Sequence, residues 1–127
     1  MPLLIQRTIP IFRIFDVAKA REFYVDFLGF VVDWEHRFEG VAPIYMQISL
    51  AGCTLHLSEH HGDCCPGSTV FLTVKQLRDY HAGLIAKQYG YLRPGLEETF
   101  HNSLGMEVVD PFGNRLRFDE PHETKEH

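Results

Sequence analysis

Shifted by 61 residues, the second half of this chain lies over its first: Gly29 meets Gly90, Gly52 meets Gly113, Leu55 meets Leu116 and Glu59 meets Glu120. The two Gly–Gly gaps are both 23 residues, and the segment 52–59 covers the segment 113–120. A repeat of this length means that one supersecondary unit is used twice. It also restricts the fold, because both copies must bury the same apolar pattern. Within this register His56 superposes on Arg117.

Each copy reads as βαβββ. In the first, a strand at 9–15 is followed by Asp16 at a helix N-cap position. Val17, Ala20, Phe23, Tyr24, Phe27 and Leu28 then recur at helical spacing, with Lys19, Arg21, Glu22 and Asp26 mostly on the other face. Burying that stripe contributes ~10 kcal/mol before chain entropy is subtracted. Gly29 stands where a left-handed residue would end the helix. Strands are expected at 30–36, 43–50 and 53–59, with Ala51-Gly52 as a tight turn.

Residues 61–67 have linker composition. The second copy then predicts a strand at 69–74, a helix over about 76–88 closed by Gly90, and strands near 91–94, 104–109 and 114–119. Asp110-Pro-Phe-Gly-Asn114 is a turn, with Pro presetting one φ and Gly supplying a positive one. The fold class is therefore α+β in one domain: module one at about 7–60, module two at about 68–121, and a polar tail at 122–127.

Alternation assigns the sheet faces. Phe12, Ile14, Leu55, Leu57, Val70, Leu72, Leu116 and Phe118 should lie under the helices. Ile9, Ile11, Arg13, Thr54, His56, Ser58, Thr69, Thr73, Arg115 and Arg117 should lie opposite, on a half-polar face suited to solvent or ligand. For 104–109 two readings conflict. The repeat puts Met106 and Val108 on the polar face, whereas apolar alternation buries them and exposes Glu107.

Composition narrows the function classes. A net charge of −5 with no basic patch disfavours nucleic acid. The apolar stretch 9–15 is short and broken by Arg13, so no membrane span is expected. Three cysteines, Cys53, Cys64 and Cys65, with no signal peptide pattern, fit a reducing cytoplasm rather than a disulfide framework. The adjacent Cys64 and Cys65 read as two thiols in a Pro/Gly loop, with a redox pair or soft-metal site as the alternative.

Asp16, Phe23-Tyr24 and Leu28-Gly29-Phe30 early, with Asp110-Pro-Phe-Gly-Asn114 late, around a tandem βαβββ repeat, resemble the vicinal oxygen chelate superfamily. That group includes glyoxalase I, extradiol dioxygenases and bleomycin-resistance proteins. The resemblance spans about 7–121 and implies paired modules forming a cupped mixed sheet with helices on its convex side, and a homodimer whose modules pair within a chain or are swapped between chains. The superfamily's metal-ligand positions fall on Ile9, His56, Thr69 and Arg117. Ile9 offers no donor, Thr69 a neutral hydroxyl, and the Arg117 cation opposes a divalent ion by several kcal/mol. No metal cofactor is therefore expected at those positions. A rival set, His56, His60 and His61 with Glu59 or Asp63, shows no recognised ligand spacing.

The segments 16–24 and 28–34 are closest to the bleomycin-resistance branch, whose members bind their drug without a metal. That implies a sequestering protein, with a small-molecule ligand in a cleft at a dimer interface. Arg13, Trp34, Tyr45, His56 and Arg117 are the candidate binding residues, with Phe38 as a further ring. Trp34 fits core filler equally well. Arg13 and Arg117 read either as anion-binding groups or as a salt-bridged sheet face with Glu98, Glu107 or Asp119 as partners. The alternatives are a glyoxalase- or dioxygenase-like lyase or isomerase using a displaced metal site or His56 as general base, oriented by Glu98 or Glu107, and an interaction domain with a vestigial cup. His81 reads as a core-edge histidine.

Overall fold

The computed structural model describes residues 2–37, 43–90 and 92–123. Phe38 lies outside the described residues. The chain divides into two compact units, one through Pro66 and one from Gly67.

In the first unit β1 (Ile11–Arg13) leads to α1 (Val17–Arg21), then β2 (Val31–Arg37), β3 (Ile44–Leu50) and β4 (Cys53–Ser58). The sheet order is β1-β4-β3-β2. β1 runs parallel to β4, as a strand returning after a helical crossover must, and the other neighbours are antiparallel. Asp16 caps α1 as expected: its backbone is extended and its Oδ1 accepts from the Lys19 N–H at 3.0 Å. Beyond Arg21 the helix differs from the single α-helix the spacing predicts, widening into a π-helical stretch, Glu22–Phe27. The bulky neighbours Phe23 and Tyr24 are both buried there and meet edge-to-face at 5.0 Å. Gly29 follows at φ +96°, in the left-handed region.

The apolar stripe of this helical segment, with Phe12, Ile14, Ile44, Met46, Ile48, Leu55 and Leu57 from the sheet, makes the buried core of the unit. The β3–β4 turn places Ala51 at φ +50° and Gly52 at φ +92°. Two positive φ values suit a hairpin of right-handed twist, but alanine tolerates the first poorly. Ala51→Asn is expected to raise stability by about 0.5–1 kcal/mol, read from the urea midpoint.

The second unit repeats the order: β5 (Thr69–Thr73), α2 (Leu77–Ala86), β6 (Glu97–Glu98), β7 (Ser103–Val109) and β8 (Arg115–Pro121), in the order β5-β8-β7-β6. Both units are thus α+β with a four-stranded mixed sheet. Here the cap of α2 comes from outside the helix. Gln76 is left-handed at φ +62°, and the Glu120 carboxylate of β8 accepts from the N–H groups of Gln76 at 2.9 Å and Leu77 at 3.0 Å. Those bonds hold the Glu120 carboxyl below its ordinary range. Its repeat partner Glu59 does other work, accepting from the Ile44 N–H at 3.0 Å.

Two expectations fail in this unit. Gly90 does not close α2: the helix stops at Ala86, and Gln88 takes the left-handed position at φ +53°. Residues 92–94 form no strand; the short strand is Glu97–Glu98, beyond Pro94, which has no N–H to give a ladder. The Pro94 carbonyl instead receives the His81 Nε2 at 2.8 Å, which ties the helix edge to this segment.

The conflict over 104–109 resolves for alternation. Met106 and Val108 are buried and Glu107 is exposed. Gln47 faces His56 whereas Glu107 faces Arg117, so β7 is offset from β3 by 60 while β8 is offset from β4 by 61. The longer turn at 110–114 absorbs the extra residue, and one residue of slip exchanges the faces of a strand. Of the residues assigned to the helix side, Val70 and Leu72 are only half-buried.

Candidate functional site

The first unit brings Trp34, Tyr45 and His56 together on the sheet face away from its core. Strict alternation would send neighbours Asp33 and Trp34 to opposite faces. A β-bulge between Val32 and Trp34 breaks that rule: Val32 pairs with Ile48, but Trp34 pairs with Gln47. Asp33 and Trp34 consequently serve the same face. The indole lies parallel to the Tyr45 ring (centroids 6.0 Å, interplanar 11°) and meets the His56 ring at 5.3 Å and 66°. At 43% exposure Trp34 is not core filler.

Polar groups lock these rings. Tyr45 Oη lies 2.7 Å from His56 Nδ1, and His56 Nε2 lies 3.0 Å from Gln47 Oε1. The Gln47 amide nitrogen donates to Asp33 Oδ2 and the Ser49 hydroxyl to Asp33 Oδ1, each at 3.0 Å. The half-polar alternation of β3 marks Tyr45, Gln47 and Ser49. Asp33 continues the face of Val31, which pairs with Ser49, and it is Trp34 that the bulge turns to this side.

Burial lowers the His56 pKa, helped by the positive charge of Arg7. Burial raises that of Tyr45, with Asp63 and Cys64 adding to it. The imidazole is therefore held neutral and the phenol protonated. A histidine depressed in the fold favours the protein above its unfolded pKa, near 6.5, and that contribution is lost as pH falls through this value toward the folded one. Between pH 7.5 and 5.5 the wild type should lose more Tm than His56→Gln, a difference readable by thermal denaturation at a series of pH values.

The other candidates, Arg13 and Arg117, have partners of their own. Arg13 lies in β1 with its guanidinium carbon 4.6 Å from the Phe15 ring centroid, a cation–π contact. Arg117, in the second unit, gives its Nε to Glu107 Oε1 at 2.9 Å, and Arg115 approaches the same oxygen at 3.8 Å. Arg117 thus sits on a salt-bridged, exposed sheet face. Glu98 pairs with His122 and Glu107 with Arg117; His56 is oriented within its own unit by Gln47 and Tyr45.

The loop after β4 is spent on itself. The Ser58 hydroxyl donates to Asp63 Oδ2 at 2.5 Å and accepts from the His60 N–H at 3.0 Å, while the His60 and His61 rings stack. Among the described residues no group of three or more His, Cys, Asp or Glu is arranged to hold a metal ion. Nor does the superfamily's ligand set fit the residues present. Both ring nitrogens of His56 are engaged by protein groups, and the remaining positions hold Ile9, Thr69 and Arg117. Cys53, Cys64 and Cys65 form no disulfide among the described residues. No helix among the described residues is long and apolar enough to cross a membrane.

The solved structures this chain resembles include a bleomycin-binding protein complexed with bleomycin, at 20% identity, covering 93% of this chain and 100% of that one with a TM-score of 0.70. A bleomycin resistance determinant encoded on the transposon Tn5 matches at 18% identity over 94% and 100%, TM-score 0.70. TnmS3, an antibiotic binding protein from Streptomyces sp. CB03234, matches at 18% identity over 94% and 100%, TM-score 0.62. At these identities the likeness is one of fold. No curated protein sequence matches the chain. The sequence profile described as glyoxalase superfamily protein, however, matches residues 2–125. The chain belongs to the glyoxalase superfamily.

Proposed function

We propose that this chain is a metal-independent binding protein that sequesters a small molecule bearing a planar ring. It works as a homodimer in the manner of bleomycin-resistance proteins, with the ligand cleft at the subunit interface. The observation that carries the reading is the Trp34–Tyr45–His56 cluster: an exposed indole backed by a stacked phenol, with the histidine committed to protein partners. Rigid rings held by neighbours bind a planar ligand at little entropic cost. Arg13, one strand away, adds a cation to the same unit. The fold shared with a bleomycin-binding protein and an antibiotic binding protein supports the ligand class.

Calorimetric titration of chelator-treated protein with bleomycin and a panel of planar aromatic antibiotics tests the proposal. Saturable binding unchanged by chelator is the expected result, with a dimer by sedimentation. Binding to none of them, or binding that appears only when a divalent metal is added, would overturn it.

A further inference from the structure

The direction of every proton in the site follows from the one group that cannot donate. The Asp33 carboxylate accepts from the Gln47 amide nitrogen, so the Gln47 carbonyl oxygen must be the atom turned to His56. That oxygen can only accept, which places a hydrogen on His56 Nε2. A neutral imidazole then presents Nδ1 as an acceptor, and its partner at 2.7 Å is Tyr45 Oη. The phenol therefore spends its proton inward. The Ser49 proton is likewise committed to Asp33. On this face Tyr45 Oη and Asp33 have only lone pairs left to offer.

We propose that His56 is a positioning residue that makes Tyr45 an acceptor-only group, so that the site takes planar rings carrying an N–H or O–H donor and discriminates against rings presenting an acceptor there. The inference rests on the binding reading above and specifies the ligand chemistry of that same site. A superfamily position that elsewhere supplies a metal donor here sets hydrogen-bond polarity. The selectivity arises because a lone pair set against a lone pair leaves both unsatisfied, and one such mismatch is worth about tenfold in affinity.

Indole and benzofuran test this directly, being rings of nearly one shape that differ in N–H against ring oxygen. Ligand-observed NMR titration at pH 7.5 should show indole binding about tenfold more tightly. In Tyr45→Phe, and in His56→Leu, where the phenol proton is released, the ratio should fall to within about twofold while both rings still bind. A merely structural role for His56 would weaken both rings together and leave the ratio unchanged. Nitrogen-15 shifts of the His56 ring in the free wild type should show hydrogen on Nε2. Hydrogen on Nδ1, or equal affinity for the two rings, overturns the polarity and leaves the binding reading standing. Binding of neither ring overturns this inference, while the binding reading stands or falls with the bleomycin titration above.

Discussion

Replacing Asp110 by alanine is expected to cost the second unit about 3 kcal/mol, seen as a lower urea midpoint at unchanged slope. Three donors converge on this buried carboxylate. Its Oδ1 accepts from the N–H groups of Phe112 and Asn114, each at 2.8 Å, and its Oδ2 accepts from the Asn114 side-chain nitrogen at 2.9 Å. Asn114, itself buried, passes the connection on: its Oδ1 accepts from the N–H groups of Gly67 and Ser68, at 3.3 and 3.2 Å. The motif that reads as a turn in the sequence is thus a staple joining the β7–β8 turn to the entry of β5. Removing the carboxylate leaves buried donors without acceptors, a larger penalty than the net worth of the bonds themselves. Asp110→Asn should recover only part of the loss, because its amide nitrogen would face another donor. A loss below about 1 kcal/mol for the alanine variant would show that water replaces the carboxylate and that the staple is dispensable.

Much of this fold is legible from the repeat, and the misreadings share one physical origin. Composition and period place Asp16 at its cap, Gly29 after the helix and Phe12, Ile14, Leu55 and Leu57 in the core, because those choices depend on local backbone and on burial. What a repeat cannot convey is a change of one residue in register. The longer turn at 110–114 shifts β7 by one position, exchanging the faces of Met106, Glu107 and Val108. The bulge in β2 does the same for Trp34, which joins Asp33 on the face of Gln47. Both events leave composition and apolar count untouched while deciding which side chains meet.

The corrected register also pairs the two copies differently. Gln47 on His56 corresponds to Glu107 on Arg117, so one cross-strand position holds an amide–imidazole pair in the first unit and a carboxylate–guanidinium pair in the second. Tyr45 corresponds in turn to Gly105, where a Cβ would stand 3.0 Å from Thr99 Cγ2. The aromatic cluster is therefore a property of the first copy alone.

Trp34→Ala is accordingly expected to weaken binding of a planar-ring ligand by about 30–100-fold, on the order of 2–3 kcal/mol, with about 1 kcal/mol lost from stability. The two effects separate because the indole is 43% exposed. Its outer surface is available to a ligand, and only its stack on Tyr45 belongs to the fold. Trp34→Phe keeps a flat ring over Tyr45 with less area and should lose only about 3–5-fold. Trp34 is the chain's single tryptophan, so quenching of its emission follows occupancy in the wild type, while calorimetry serves both variants. A variant that binds bleomycin as tightly as wild type would move the ligand off this face. A stability loss of several kcal/mol with affinity intact would make Trp34 a framework residue, because an indole that holds the fold together cannot also be the surface a ligand covers.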